Sequence, residues 1–176
     1  MDRQRGFTLL ELLVAIAIVA VLTASAIPAF GEMRRNAART REVNQFVQGV
    51  HLARGEAMKR NGVVSLCPSR NGLWCAADGA PWNEGWILFV NGDGDSPAAR
   101  DLGERLLHVY PAWREGHVVA NRATLSFRAF GQSGVTATFA FCDDRGSSAA
   151  RAVIISQTGR PRVSARSSSG TPLSCS

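Results

Sequence analysis

The sequence predicts an α+β fold, in which one long N-terminal helix packs on an antiparallel β-sheet domain. Two observations carry this prediction. From residue 7 to residue 60 the chain keeps a helical pattern, apolar in its first half and amphipathic in its second half. Beyond residue 62 the pattern changes to short apolar stretches separated by turn residues. The chain has 176 residues, which is long enough for one domain with its own core.

The first half of the helix is long enough to cross a membrane. An unbroken apolar run extends from residue 12 to residue 27, and a bilayer span needs roughly 20 residues at ~1.5 Å each. Glu11 stands at its start, and an acid in a membrane helix is costly enough to indicate a function with a partner. Cleavage after Gly6 would create an ammonium group at Phe7, with which the Glu11 of a neighbouring subunit could pair. The sequence therefore predicts a subunit that leaves the membrane and packs into a filament.

Residues 6–14 resemble the type IV prepilin signal, a short basic leader ending in glycine, followed by Phe-Thr-Leu, a glutamate at the fifth mature position and an apolar helix. Pro28 falls where pilins commonly bend this helix. The resemblance implies that a prepilin peptidase cuts after Gly6 and methylates Phe7. No GxSxG elbow, P-loop or dinucleotide fingerprint occurs in the sequence, so neither enzyme activity nor a cofactor is expected. A secretory signal peptide or a plain single-span anchor is the alternative, because residues 24–26 supply small side chains.

Four parts of the chain are expected. They are a cleaved leader (1–6), a hydrophobic transmembrane or filament helix (7–30), its amphipathic continuation (31–62) and a β-rich globular domain (63–176). Arg3 and Arg5 precede the span and place the leader in the cytoplasm. The resemblance implies a single-pass inner-membrane protein with a periplasmic domain, which later enters the pilus. The net charge of +6 and the pI of about 10.1 favour anionic partners.

The four cysteines indicate an oxidising compartment, and sequence alone allows three pairings. Local spacing favours Cys67 with Cys75, which leaves Cys142 with Cys175. A zinc site is the alternative, but the spacings are not those of paired CxxC motifs. Residues 91–95 carry oxygen ligands at alternating positions, as in a calcium loop. Ser96 stands where such a loop needs glycine, and Leu102 stands where it needs the final acid. No metal site is expected.

About six strands are predicted beyond the helix. The candidates are residues 63–67, 86–90, 106–110, 124–130, 136–142 and 151–156. Residues 131–134 are expected to join the fourth and fifth candidates as a hairpin, and the helix is expected to lie on a sheet.

Several segments of the globular part, together with the N-terminal signal, carry a second resemblance. They include residues 66–69, 85–90, 141–146 and 154–160. These segments are similar to the domain of GspH-type pseudopilins and of FimT/FimU-type minor pilins. The resemblance implies a minor filament subunit whose partners are other pilins.

The region from residue 146 to residue 176 contains four arginines and no acid. Its Gly-Arg-Pro-Arg stretch, residues 159–162, resembles the GRxR motif of FimT-type minor pilins, which is associated with DNA binding in natural transformation. Two arginines in an extended segment lie ~6.6 Å apart, and guanidinium forks suit phosphate oxygens. Gly159 is expected to let the DNA backbone approach. The predicted DNA-binding residues are Gly159, Arg160 and Arg162, with Arg151 and Arg166 in support.

The predicted contacts read the phosphate backbone of double-stranded DNA and not its bases, so binding should be independent of sequence. Two alternatives remain for the arginines: they solvate the tail, or they pair with acids on a neighbouring pilin. The corresponding alternative functions are a FimU-like structural subunit of a pilus-initiation or tip complex, and a GspH-like minor pseudopilin of a type II secretion system.

Overall fold

The structure, a computed structural model, describes residues 8–76 and 79–175. The predicted cleavage site, Gly6 and Phe7, lies outside the described residues. The chain divides into two compact units, Met1–Ala37 and Ala38–Ser176. Helix α1 covers Leu9–Arg60 as one continuous element that includes the predicted bend position, Pro28.

The described part of the first unit is the N-terminal portion of α1. Thr8 and Glu11 form a reciprocal capping box at its start. The Thr8 N–H donates to Glu11 Oε2 at 2.9 Å, and the Glu11 N–H donates to Thr8 Oγ1 at 3.3 Å. The most apolar stretch of α1 has a mean hydropathy of 2.5 and buries none of its residues within the structure, so α1 can cross a membrane by length and composition.

In the described part of the second unit, the C-terminal portion of α1 is followed by eight strands in two antiparallel four-stranded sheets. The strands are β1 (Val63–Pro68), β2 (Trp86–Asn91), β3 (Leu106–Tyr110), β4 (His117–Ala120), β5 (Leu125–Phe127), β6 (Ala137–Cys142), β7 (Arg151–Ile155) and β8 (Pro161–Ser164). A 3-10 helix, Trp82–Glu84, precedes β2. The first sheet has the order β3-β2-β1-β5, and the second has the order β4-β6-β7-β8.

The core lies between α1 and the two sheets. The buried stripe of α1 recurs at helical spacing, as the amphipathic pattern predicts, and consists of Val43, Phe46, Val50, Ala53 and Ala57. Its central ring, Phe46, contacts aromatic rings of both sheets: the ring centroids lie 5.3 Å from Trp86 of β2 and 4.5 Å from Phe139 of β6. This one side chain therefore joins the helix to both sheets.

One sequence prediction about the β-domain, the hairpin at residues 131–134, is wrong. The fold class is as predicted, and the domain contains two antiparallel sheets: β5 pairs with β1, whereas β6 pairs with β4 and β7. Residues 131–134 therefore connect the two sheets and do not form a hairpin between partner strands. The hydroxyls of Ser126 and Ser65, 2.7 Å apart, lie across the β1–β5 pair. Alternation identified the strand at 125–127 but could not identify its partner.

Two disulfides join the pairs that local spacing favours. Cys67 bonds Cys75, and Cys142 bonds Cys175. The second bond ties the C-terminal tail to β6, where Leu173 packs with Ile154 in a small apolar cluster on the face of the second sheet opposite α1.

Candidate nucleic-acid interface

Strand β8 lies at an edge of the second sheet and carries Arg162. Arg162 lies directly opposite Ile154 of β7. Residues directly opposite each other in an antiparallel pair project to the same face. Because Ile154 belongs to the cluster under the C-terminal tail, Arg162 projects to the face opposite α1. Its side chain is exposed.

Arg160 lies on the same face as Arg162, one residue before the start of β8. The Ser156 N–H donates to the Arg160 carbonyl at 3.1 Å, which extends the β7–β8 pairing by one residue pair. The two arginines therefore lie two residues apart on the same side, ~6.6 Å along the chain. Both are exposed, and neither guanidinium has a hydrogen bond or ion pair with any residue in the described ranges 8–76 and 79–175. This pair, Arg160 and Arg162, is called the arginine pair below.

The structure gives Gly159 a different role from the predicted one. It is buried, with φ of +75°, and a Cβ atom there would overlap the Gly131 carbonyl oxygen and lie 3.1 Å from Arg54 Nε. The backbone that approaches Gly159 closely is therefore the chain's own, and the prediction that Gly159 lets DNA approach is wrong. Glycine is needed at this position because the loop carrying the arginine pair packs against residues 128–134.

Arg166 follows the arginine pair at the other end of β8. Its backbone forms an isolated bridge with Pro172, and one of its guanidinium nitrogens donates to the Gly170 carbonyl at 3.0 Å. Arg166 is exposed, so the rest of its guanidinium faces solvent. Its hydrogen bond to Gly170 holds the side chain in place along the turn of the tail.

Arg151 does not lie on the same face as Arg160 and Arg162. It lies opposite Phe141 of β6, whose side chain belongs to the main core, so Arg151 projects to the face of the second sheet that packs on α1. Its guanidinium donates to the Ala150 carbonyl at 2.8 Å. The prediction that Arg151 supports the DNA-binding patch is wrong, because strand register directs it to the opposite face from Arg162.

Instead, Arg151 lies near a buried charged group centred on Asp143. Arg39 of α1 lies 3.6 Å from the Asp143 carboxylate, and Arg145 hydrogen-bonds it at 2.6 Å. The hydrogen bonds from Arg145 hold the pKa of Asp143 below its usual range against the opposing effect of burial, and Arg39 adds a smaller lowering. Burial lowers the pKa of Arg39, and the charges of Arg145 and Arg151 lower it further. This group stabilises the contact between α1 and the loop after β6.

Sequence reasoning missed the roles of two further arginines. The amphipathic pattern puts Arg39 on a polar helix face, but its carboxylate partner, Asp143, lies far along the chain. Arg54 is the second: its Nε donates to the Gly131 carbonyl at 2.9 Å and so braces the loop beneath Gly159. The only available signal was the position of both arginines beside the apolar stripe of the helix.

Two groups of side chains that resemble metal ligands have other roles in the fold. Among the described residues, His117, Cys142 and Cys175 lie close enough to share an ion. Both sulfurs of this group are in the disulfide, which leaves no thiolate to bind a metal. In the loop at 91–95, Asn91 binds the Gly94 N–H at 2.6 Å and Asp95 binds the Ala99 N–H at 2.9 Å. These side chains therefore stabilise a turn.

Comparison with known proteins identifies the family. Residues 42–159 match the family described as type II transport protein GspH, which is more than half of the chain. The chain belongs to the GspH family. Residues 1–27 match the prokaryotic N-terminal methylation motif, which agrees with the prepilin-type signal. The GspH-family domain, this motif and the structural likeness described next are those of a minor type IV pilin of the FimT/FimU type.

Two solved structures of the minor pilin FimU from Pseudomonas aeruginosa PAO1 share the fold of this GspH-family chain. One is 24% identical and has a TM-score of 0.55, and the match covers 80% of this chain and 98% of the crystallised FimU chain. The other is 25% identical, has a TM-score of 0.52 and covers 84% and 99%. The common architecture is a pilin helix packed on antiparallel sheets.

Curated relatives match over shorter stretches. Prepilin peptidase-dependent protein D of Escherichia coli K12 is 40% identical over 42% of this chain and 50% of its own length. Fimbrial protein EcpC of Eikenella corrodens is 38% identical over 51% of this chain and 49% of its own length. The chain thus spans about half the length of these curated relatives. Pilin-family chains are structural and not enzymatic, and the apolar helix fits a pilin anchored in the inner membrane.

Proposed function

We propose that this chain is a minor type IV pilin that binds DNA without sequence preference through Arg160, Arg162 and Arg166, and that it supports DNA uptake in natural transformation. The observation that carries the proposal is the arginine pair itself. Its two guanidinium groups are exposed on one side of an edge strand and have no partner among the described residues. No acid occurs from residue 146 to residue 176 to neutralise them.

The chemistry of the arginine pair suits phosphate. Guanidinium groups bind phosphate oxygens in two-pronged fashion and keep their charge at any physiological pH. Contacts of this kind position a nucleic acid without reading its sequence. Two or three neutralised phosphates predict a slope of log K against log salt of roughly −2 to −3. Binding by one subunit is therefore weak at physiological salt and serves to catch DNA briefly.

A titration of labelled duplex DNA of unrelated sequences tests this proposal. The full chain in neutral detergent is compared with the double variant Arg160→Gln, Arg162→Gln at about 50 mM and about 200 mM salt. Arg151→Gln is the matched control, because that arginine faces α1. We expect salt-sensitive binding that the double variant loses and the control keeps. Binding that is absent at low salt, or equal in all three proteins, would exclude this function.

The filament role rests on Glu11 and the N-terminal motif. In the proposed cycle a prepilin peptidase cuts after Gly6 and methylates Phe7. The subunit waits in the inner membrane with its domain in the periplasm, and Glu11 then pairs with the Phe7 ammonium of a neighbouring pilin in the pilus. Glu11→Ala should reduce incorporation into pili, measured by immunoblotting of sheared filaments. Normal incorporation would contradict the role given to Glu11.

A second candidate is a purely structural role, either in a FimU-like initiation or tip complex or as a GspH-like pseudopilin of type II secretion. The likeness to FimU and the GspH-family domain favour it. In this case the arginine pair would face acids of a protein neighbour. Deletion of the gene separates the roles: lost transformation with some pili retained favours the DNA-binding pilin, lost piliation favours the initiation complex, and lost secretion with normal pili favours the pseudopilin.

A further inference from the structure

Phe130 is an aromatic residue that the fold leaves at the surface. It lies between β5 and β6, and 84% of its side chain is exposed, whereas Phe127 three residues earlier is fully buried. The loop around Phe130 is well braced. The Gly131 N–H donates to the Arg128 carbonyl at 2.7 Å, and the Arg128 N–H donates to the Gln132 carbonyl at 3.0 Å. The ring of Phe130 is thus presented on an ordered turn.

This turn is packed directly against the loop that carries the arginine pair. Gly159 lies on the Gly131 carbonyl, and Ser133 Oγ donates to the Ser156 carbonyl at 2.9 Å. Phe130 adjoins Gly131 in the chain, and Arg160 adjoins Gly159. Phe130 and Arg160 therefore flank, in the chain, the same contact between two loops.

A second exposed arginine precedes the ring in the same turn. Arg128 is two residues before Phe130, its side chain is exposed, and its guanidinium makes no hydrogen bond or ion pair with the part of the chain that the structure describes. Arg128 also lines an open surface pocket of about 450 Å³ together with Arg122 and Asp95. Phe130 therefore has one exposed arginine two residues before it in the chain and another, Arg160, across the loop contact.

We infer that Phe130, Arg128 and Arg160 form a binding site for single-stranded DNA, in which an unpaired base stacks on the Phe130 ring and the flanking phosphates bind the two arginines. The inference rests on the proposed DNA-binding function and extends it to a second group of residues. Every base has a face that can stack on an aromatic ring, so this contact is also independent of sequence. Such a site would hold the frayed ends or separated strands of DNA more tightly than an intact duplex, whose bases are stacked on one another.

Charge complementarity favours this occupant over an apolar protein segment. An exposed aromatic ring in a surface region whose exposed arginines, Arg128 and Arg160, lack acidic partners among the described residues attracts a polyanion that also offers flat apolar faces. Single-stranded DNA combines these two properties. A protein neighbour would instead pair its own acids with the arginines. In that case DNA binding would not depend on the Phe130 ring, and the experiment below would show this.

The test measures the affinity of the full chain in neutral detergent for two probes, an oligo(dT) of about 16 nucleotides and a duplex of the same length. Phe130→Leu removes the ring and keeps an apolar side chain. Leu102→Ala is the matched control, because Leu102 is 89% exposed in another loop. We expect Phe130→Leu to weaken oligo(dT) binding about tenfold and to leave duplex binding within about twofold, with no effect of the control.

The possible outcomes distinguish a failure of the stacking site from a failure of the proposed DNA-binding function. If both probes bind through the arginine pair but Phe130→Leu binds oligo(dT) like the Leu102→Ala control, the stacking site is excluded and the DNA-binding function stands. If Phe130→Leu weakens both probes equally, the ring does not recognise unpaired bases and the inference is also excluded. If neither probe binds in a salt-sensitive manner, the proposed function fails, and the stacking site fails with it.

Discussion

Gly159 lies so close to the carbonyl oxygen of Gly131 that no side chain can be placed between them. This contact joins the loop before β8 to the crossover between the two sheets. It explains why the arginine pair begins immediately after a glycine: the glycine fits the loop to the domain, and the arginines project outward from the fitted loop.

Gly159→Ala should therefore destabilise the domain by about 3 kcal/mol, from the positive φ together with the overlap with Gly131. Gly134→Ala is the matched control, because Gly134 has φ of +70° and a Cβ added there would meet no atom within 4 Å. Gly134→Ala should lower the free energy of unfolding by only about 1 kcal/mol, because of the backbone conformation alone. Urea denaturation followed by tryptophan fluorescence measures both. Equal losses would mean that the Gly131 contact does not constrain residue 159.

Phe46→Ala should destabilise the domain by about 3–5 kcal/mol, since it removes the ring that contacts both sheets and leaves a cavity. Phe130→Ala is the control of equal size. Because Phe130 is 84% exposed, its loss should change the free energy of unfolding by less than about 0.5 kcal/mol. Thermal unfolding by circular dichroism compares the two. A small effect at Phe46 would contradict its central place in the core.

Asp143→Asn should lower stability at neutral pH by about 3–5 kcal/mol, because it leaves Arg39 and Arg145 without their carboxylate partner. The pKa of Asp143 is lowered in the folded state by the Arg145 hydrogen bonds. Its contribution is therefore fully present above the ordinary aspartate pKa of about 3.9 and is lost as the pH falls through the lower folded-state value.

The pH dependence gives a direct check on this buried group. Between about pH 5 and about pH 2, the urea midpoint of the natural chain should fall more steeply than that of Asp143→Asn. Asp144→Asn, a change at the neighbouring acid, provides the comparison for general acid effects. Parallel slopes for the natural chain and Asp143→Asn would show that the carboxylate of Asp143 does not stabilise the folded state through its charge.

Removing the Cys142–Cys175 disulfide should cost more stability than removing Cys67–Cys75. The bonds close loops with sequence separations of 33 and 8 residues. The chain-entropy relation then gives about 3.7 and about 2.5 kcal/mol. Paired Cys→Ser variants and urea denaturation measure the two values. The opposite order would indicate that the short loop at residues 67–75 contributes packing beyond its entropy.

The helix, most strands and the arginine pair could be predicted because each depends on a local pattern. The stripe around Phe46 has helical spacing, and β6 and β7 show apolar runs between turn residues. The partner of β5 could not be predicted, because alternation is the same whether Ser126 faces Ser65 or a residue of β6. The face of Arg151 was missed for the same reason, since it depends on the register of β7 against β6. The role of Arg39 could not be predicted, because its partner Asp143 lies far along the chain and comes near only in the folded structure.

The position of β8 at an open sheet edge has a consequence for the packing of neighbouring subunits. In a filament, domains are held side by side, and an open edge offers unpaired backbone groups to any neighbouring strand. Pro161 removes one donor from this edge, and the charges of the arginine pair repel the same edge of another copy. The residues proposed to capture DNA therefore also keep packed subunits from adhering to one another by strand addition.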